Sequence, residues 1–196
     1  MSIIDNAALK TLFLDARSQN GWSKEPVPDE ALEAAYEIAK WGPTSMNTQP
    51  MRLLFLRSPE AKERLRPALA PSNVEKVVTA PVVAIIAHDL KFYSHLPRLF
   101  PHNQNATSLF ADNDGLSQVT AFRNGTLQGA YFMIALRAVG LEVGPLSGFD
   151  PEKVDAEFFS DTTYKVNFLC GIGHGNPEKL FGRLPRFSFG EISAAL

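Results

Sequence analysis

The run at residues 82–87 is the feature that most constrains the fold of this chain. It reads Val-Val-Ala-Ile-Ile-Ala, so it contains no polar residue and is largely β-branched. A continuous apolar run of this kind is typical of a strand whose two faces are both covered. We therefore predict a small sheet with helices on both sides.

The rest of the chain supplies those helices and a few more strands. Apolar residues recur at helical spacing up to Arg17, and again over 116–137, where Gly140 can close the helix. We further expect helices that begin at Pro28, at Ser58 and at Asp150, a short helix through Asn73 and Lys76, and strands at 53–56, 141–143 and 166–172. The pattern predicts a single α+β domain over residues 1–196 and leaves the strand order open.

Composition excludes several classes of function. A chain of 196 residues that is 45% hydrophobic and 20% charged suits an ordinary globular domain. The net charge of −2 provides no general field for nucleic acid or an anionic membrane, so we expect neither as a partner. The single cysteine, Cys170, lies in an apolar run, which suits a buried thiol in a reducing compartment. Because no signal peptide or apolar span is recognisable, we expect a cytoplasmic protein.

Two segments lack a regular period. Residues 88–117 mix Phe, His, Asn and Pro, and an unpatterned loop of this length often serves as a lid over a binding site. The tail from about His174 contains Pro177 and Pro185, and we expect it to wrap a neighbouring chain.

Common catalytic signatures are missing. No Gly-rich phosphate loop opens a helix after a strand, and the glycines at 171–175 are more typical of a strand exit where the backbone passes close to another group. The four histidines show no metal-ligand spacing, so no metal site is expected. Ser147 lacks the strand-to-helix turn of a nucleophilic serine.

Scattered polar clusters remain, each in a loop at an element boundary. They are residues 17–20, 43–50, Asn73 with Lys76, 145–150 and 183–186. Taken singly, each is also explained by helix capping, turn chemistry or solvated arginines. Taken together and in this order, they resemble the FMN sites of the nitroreductase family, with the Pro-Thr-Ser-Met-Asn-Thr-Gln-Pro loop at 43–50 as the most specific piece. The resemblance covers nearly the whole chain.

The resemblance implies a nitroreductase-like α+β fold, with a small mixed central sheet flanked by helices and a domain-swapped homodimer. It implies FMN as cofactor and NADH or NADPH as electron donor, with the flavin N5 atom carrying the hydride and no catalytic side chain identified. The residues it assigns to the cofactor are Arg17, Ser18, Asn20, Pro43, Thr44, Ser45, Asn47, Asn73, Lys76, Pro145, Leu146, Ser147, Gly148 and Arg183.

These residue types suit those roles. Arg17 and Arg183 can form charge-assisted bonds to a phosphate, and Asn73 and Lys76 can donate to the carbonyls of the flavin ring. Gly148 would let main chain approach N5. In the same scheme, Ser18 adds a hydroxyl at the phosphate, and Thr44, Ser45 and Asn47 reach the ribityl chain. The chain departs from the family where an acid is usual at Ser147 and a lysine is usual at Phe181.

Further segments, at 20–22, 40–45, 62–69 and 120–124, are most similar to the malonic semialdehyde reductase branch of the family, known as RutE and HadB. This resemblance implies reduction of a small aldehyde, malonic semialdehyde, to 3-hydroxypropionate. Arg98, Arg123 or His102 could then meet the carboxylate of such an acid-aldehyde. A general nitroaromatic or quinone reductase is the alternative within the enzyme class, and a flavin-binding carrier or sensor is the alternative outside it.

The resemblance also implies that two chains share each active site. The loop at 43–50 would reach the flavin from one chain, and Arg17, Asn73, Lys76 and Arg183 would come from the other. The small residues Gly125, Gly129 and Ala130 on the long helix offer a close-approach face for a two-fold interface as well as for a core.

Overall fold

The computed structural model describes residues 3–196. Its α-helices are α1 (Asn6–Leu9), α2 (Asp29–Ala39), α3 (Pro59–Leu65), α4 (Val74–Val78), α5 (Leu96–Leu99), α6 (Ala106–Ala111), α7 (Asp114–Ala138), α8 (Pro151–Phe158) and α9 (Phe189–Ile192). Its strands are β1 (Met51–Leu56), β2 (Val82–Asp89), β3 (Glu142–Leu146) and β4 (Tyr164–Gly173). The helix starts expected at Ser58 and Asp150 are confirmed, because both side chains accept hydrogen bonds from the first turn that follows.

The first helical segment ends earlier than the sequence suggests. After α1 the chain continues as a π-helix over Lys10–Leu14, and Arg17 lies beyond it. The chain must become extended there, because Ser18 forms a bridge to Val143 beside β3. The expectation that this helix leads to Arg17 is therefore wrong by about one turn.

The four strands form one sheet in the order β1-β2-β4-β3. Every pair of neighbouring strands is antiparallel. A mixed sheet was expected. Within the described residues, the one parallel pairing is the isolated bridge between Ser18 and Val143. All eight residues of β2 are buried, which confirms the sequence prediction of a central strand covered on both faces.

Alternate residues of β2 divide between two cores. Val82, Ala84 and Ile86 pack with α2 and α7 on one face of the sheet. Val83, Ile85 and Ala87 pack on the other face, with the helices α3, α4 and α8. This period of two is what a strand buried on both sides requires.

Helix α7 reaches the sheet through glycines. A Cβ atom on Gly129 would lie 2.8 Å from two ring carbons of Phe168, and one on Gly125 would lie 2.8 Å from His88 Cβ. Of the three small residues that the sequence assigned to core and interface alike, Gly125 and Gly129 are used by the sheet, whereas Ala130 is half-buried and lines an open groove. A different face is open to solvent, and it carries Val119, Phe122, Leu127 and Tyr131.

The segment at 88–117 is more regular than the sequence suggests. It contains a 3-10 turn at Phe92–His95 and the short helices α5 and α6, which enclose a third cluster of buried side chains. That cluster consists of Phe92, Leu96, Ala106, Phe110 and Ala121. Helices of four and six residues are too short to produce a readable period, so the pattern was missed.

The tail from His174 is mostly exposed. It holds a 3-10 turn at Pro177–Lys179 and the helix α9, whose first turn is closed by reciprocal bonds between Ser188 and Glu191. Large apolar side chains along it face solvent: Phe181, Leu184, Phe187, Phe189 and Ile192. Across residues 3–196, the structure has no helix that is both long and apolar enough to cross a membrane.

Candidate functional site

The structure brings the tail onto the end of the first helical segment. The Arg17 guanidinium donates to the carbonyl of Phe181, and Arg183 donates to the carbonyls of Leu14 and, at 3.3 Å, Ala16. The two arginines, distant in sequence, therefore lie in one neighbourhood. Within the described chain neither of them pairs with a carboxylate, so their charges remain uncompensated.

From Arg17 the chain runs beside β3. The Gln19 amide donates to the Val143 carbonyl at 3.0 Å, and the Gln19 side-chain nitrogen donates to Glu142. A Cβ atom on Gly144 would lie 2.4 Å from the Gln19 carbonyl oxygen, so β3 needs glycine at this point. Asn20 follows and is half-buried. The sequence prediction assigned Ser18 and Asn20 to the cofactor but not Gln19, whose hydrogen bonds anchor this segment to β3.

Trp22 is a second residue that sequence reasoning missed. Its ring would lie 2.5 Å from a Cβ atom on Gly171 and 3.2 Å from one on Gly173, so the glycines of β4 make room for it. The expectation that these glycines mark a close approach is confirmed. The indole nitrogen of Trp22 donates to the Lys76 carbonyl at 2.9 Å, and this bond ties the segment after Asn20 to α4.

Asn73 and Gly148 meet directly. The Asn73 amide nitrogen donates to the Gly148 carbonyl at 2.9 Å, and the Ala70 amide donates to the same oxygen at 2.9 Å. A Cβ atom on Gly148 would lie 2.4 Å from that Asn73 nitrogen, so no other residue fits there without a shift. Pro145 and Leu146 lead into this contact from β3, and Ser147 follows them.

The loop at 43–50 lies elsewhere. It leads into β1, whereas Arg17, Ser18 and Gly148 lie beside or just after β3, at the other edge of the sheet. Three strand spacings of about 4.8 Å separate those edges, or roughly 14 Å. The loop is held instead by other partners: the Ser45 amide donates to Asn124 Oδ1 at 2.8 Å, and Asn47 donates to the Leu99 carbonyl at 2.8 Å.

The backbone of this loop is unusual. Met46, Asn47 and Gln49 have φ angles of 49°, 50° and 41°, in the left-handed region that non-glycine residues rarely adopt. The Gln49 amide donates to Thr44 Oγ1 at 3.3 Å, and Pro43 begins the loop after α2. Strained backbone of this kind clusters at ligand sites. The structure thus divides the expected site residues between two edges of the sheet.

Cys170 and His88 are two of the groups whose pKa values burial shifts. Burial raises the pKa of the Cys170 thiol to about 12, so the prediction of a buried, unreactive cysteine is confirmed. Burial also lowers the pKa of His88, against the opposing charges of Asp155 and Asp89. Among residues 3–196, no three His, Cys, Asp or Glu side chains come together as metal ligands would.

The three cations expected at an acceptor carboxylate lie apart. Arg98 lines a pocket with Arg52 and Tyr164, whereas Arg123 lines the open face of α7. His102 lies against the ring of Phe100, with a centroid distance of 3.8 Å. Arg98 and Arg123 each precede a residue that holds the loop at 43–50, because Leu99 accepts from Asn47 and Asn124 accepts from Ser45.

The fold is an α+β fold in which a small antiparallel sheet lies between two helical layers and carries polar groups at both edges. The nitroreductase family model matches residues 15–174, and the chain belongs to the nitroreductase family. The family predicted from the sequence is thereby confirmed.

Individual relatives agree with this assignment. A Ralstonia pickettii protein named as a candidate NADH dehydrogenase/NAD(P)H nitroreductase, HadB, is 54% identical over 93% of this chain and 94% of its own length. A similarly named protein of Cupriavidus pinatubonensis is 53% identical over 94% of this chain and 95% of its own length.

Solved structures share the fold. A candidate nitroreductase, ydfN, from Bacillus subtilis superposes with a TM-score of 0.88 at 22% identity, covering 98% of this chain and 100% of that one. A candidate nitroreductase of Exiguobacterium sibiricum, crystallised in complex with FMN, gives a TM-score of 0.83 at 20% identity and covers 100% and 99% of the two chains. The predicted nitroreductase-like fold class is thus confirmed.

Proposed function

We propose that this chain is an FMN-dependent NAD(P)H oxidoreductase. One observation carries the proposal: two groups of residues lie together on the β3 side of the sheet. They are the two arginines without carboxylate partners, Arg17 and Arg183, and the contact between Asn73 and Gly148. Uncompensated guanidinium groups suit a phosphate, and side-chain donors beside a glycine suit the edge of a flat ring. The FMN complex of a structural relative and the NAD(P)H activities in the relatives' names support the same conclusion.

The roles of the residues follow from their chemistry. Arg17 and Arg183 would hold the phosphate, with Ser18 and Asn20 beside them. Asn73 and Lys76 would donate to the ring carbonyls, and the Lys76 charge would favour the reduced, anionic ring. Bound FMN would supply the capacity to accept hydride from NAD(P)H and pass it to an acceptor. Gly148 would allow main chain to approach the ring, and Ser147 would replace the usual acid there.

Spectroscopy and mass spectrometry test this function. We expect the purified protein to show a flavin spectrum that NADH or NADPH bleaches, and the released cofactor to have the mass of FMN. FAD, or no flavin after reconstitution, would reject the proposal. A flavin that the nicotinamides do not bleach would favour the carrier or sensor.

Arg183→Ala sharpens the phosphate assignment. Loss of a hydrogen bond to a charged group should weaken FMN retention by about 1.5–3 kcal/mol. Arg186→Ala is the matched control, because within residues 3–196 Arg186 bonds only the nearby carbonyls of Leu184 and Pro185. Equal FMN dissociation constants in the two variants would mean that Arg183 does not contact the phosphate.

For the acceptor, we propose a small aldehyde such as malonic semialdehyde, reduced to 3-hydroxypropionate. The similarity to the relative named HadB supports this choice. The nitroreductase activity in the names of both relatives supports the alternative, a nitroaromatic or quinone reductase. Comparison of kcat/KM for malonic semialdehyde, a nitroaromatic and a quinone decides between them, and the aldehyde should give the highest value.

We further propose a homodimer whose active sites are shared between chains. Three features support it: the loop at 43–50 lies at the opposite sheet edge from Arg17, the apolar face of α7 is open, and the tail exposes its apolar side chains. In this arrangement the loop at 43–50 would reach the partner's flavin, and the segment at 88–117 would cover it as a lid.

Subunit mixing tests the shared site. Asn47→Ala and Arg183→Ala should each have low activity when FMN is limiting, because each weakens one side of every site. A mixed dimer would contain one intact site, so activity should return after subunit exchange. A fully active monomer in light scattering, or no recovery despite proven exchange, would refute the arrangement.

A further inference from the structure

A pocket of about 440 Å³ lies behind the loop at 43–50 and is open to solvent. Residues at its wall come from α2, the start of β1, α5, α7 and the start of β4. Gln49 of the loop and Leu99 both line it, and the Leu99 carbonyl accepts the hydrogen bond of Asn47. We name it the Arg98 pocket. Its volume falls within the usual range of about 300–1,000 Å³ for small-molecule sites.

The charges at the Arg98 pocket do not cancel. Arg52 is paired with Asp89 at 2.7 Å, and the Asp89 oxygens also accept from Thr163 Oγ1 at 2.6 Å and the Lys91 amide at 2.9 Å. Asp89 is therefore fully engaged. Within the described residues Arg98 forms neither an ion pair nor a side-chain hydrogen bond, and no carboxylate lines the pocket.

The pocket also collects hydrogen-bond donors that lack acceptors. Gln128 is only 5% exposed, and its carboxamide oxygen accepts from the Met51 amide at 2.9 Å. Its amide nitrogen makes no hydrogen bond to any group in residues 3–196, and neither do the hydroxyls of Tyr36 and Tyr164, which also line the pocket. None of these donor atoms is sealed from solvent within the described residues, so the acceptor oxygens of a ligand in the pocket can reach them.

We propose that the Arg98 pocket binds the oxyanion group of a ligand of the reaction, either the carboxylate of the acceptor or a phosphate of the nicotinamide. The proposal rests on the proposed function for the identity of the ligand, but not for the binding itself. Arg98 supplies the charge, and Gln128 and the two tyrosines supply directed donors. A carboxylate or phosphate offers several acceptor oxygens and no donor when ionised, which matches this set.

Direct binding to the full-length protein tests the pocket. Calorimetric titration with 3-hydroxypropionate, and separately with inorganic phosphate, measures affinity without turnover. We expect Arg98→Gln to raise the dissociation constant of at least one probe about tenfold, which is about 1.4 kcal/mol. Arg98→Lys should restore most of the affinity, because it keeps the charge. Arg66→Gln is the matched control, since Arg66 is exposed and pairs with Glu63 away from the pocket.

The two probes distinguish the source of the oxyanion. An effect on 3-hydroxypropionate alone assigns the pocket to the acceptor carboxylate, whereas an effect on phosphate and on the KM for NADPH assigns it to the nicotinamide. Unchanged binding of both probes in Arg98→Gln, or no binding to the wild type at millimolar concentration, overturns the proposal. Arg98-dependent binding in a protein that does not oxidise NAD(P)H would reject the proposed function and leave the pocket standing.

Discussion

The two faces of α7 carry similar apolar residues in different environments. The inner face, with Phe132, Ala135 and Leu136, is fully buried against α2 and the sheet. The outer face leaves 55% of Phe122 and 52% of Val119 exposed around an open groove. A helix that is apolar all round is normally buried all round. The difference teaches that the single chain covers only one side of this helix, and an open apolar groove of this kind suits the interface of the proposed dimer.

The largest effect is expected on the inner face. Phe132→Ala removes a ring that is fully buried, 6.2 Å between centroids from Phe55. We expect a loss of about 3–5 kcal/mol in the free energy of unfolding, from lost burial and the cavity left behind. Chemical denaturation measures it. A loss near 0.5 kcal/mol, as at a surface site, would mean that the inner face is not the core.

A second pair of variants compares two glycines of the same helix. The Cβ atom of Gly129→Ala meets Phe168 at 2.8 Å and Ile86 at 3.2 Å, so we expect a cost of about 1–3 kcal/mol. Gly115→Ala meets nothing closer than 3.7 Å and should gain up to about 1 kcal/mol from helix propensity. Opposite signs in denaturation experiments would support the packing described, and equal effects would contradict it.

The outer face predicts an effect on assembly. Phe122→Ala should raise the dissociation constant of the dimer about tenfold, or about 1.4 kcal/mol, as truncation of a central aromatic residue does. Sedimentation equilibrium measures this constant. Ile38→Ala on α2 is the control, because Ile38 is comparably exposed on a different surface. If both variants dimerise like the wild type, the open face of α7 is not the interface.

The smallest effect concerns pH. His88 lies on β2, against Gly125 of α7, and its ring is edge-on to Phe122 with a centroid distance of 5.7 Å. Burial lowers its pKa below the ordinary 6.5, so the unfolded chain takes up a proton before the folded chain does. Stability should therefore fall as the pH drops below about 6.5, by at most ~1.4 kcal/mol per pH unit from this group. His88→Gln should remove this part of the slope, and an unchanged slope would exclude His88 as its source.

Local signals in the sequence were sufficient for several elements. The apolar run at 82–87, the caps at Ser58 and Asp150 and the long period of α7 each predict a feature that the structure contains. These predictions succeed because burial period and capping depend on neighbours within a few residues.

Long-range relations were beyond such signals. The contact of Arg17 with the tail and the antiparallel order of the strands join residues far apart in sequence. A methionine such as Met46 does not predict a left-handed backbone, and the glycines of α7 do not by themselves indicate which neighbour they approach. The resemblance supplied a set of candidate site residues, which stays a prediction, and their division between two sheet edges needed coordinates.

The position of β2 has a consequence for the growing chain. One edge of β2 pairs with β1, which has already been synthesised, whereas its other edge pairs with β4, which begins at Tyr164. At about 5–20 residues per second, the roughly 75 residues between β2 and β4 take about 4–15 s to synthesise. During this interval a strand that is apolar over residues 82–87 keeps an unpaired edge, which is the kind of surface that recruits other strands. The nascent protein is therefore most prone to aggregation after β2 and before β4 emerges, and slower translation of that stretch would prolong the exposure.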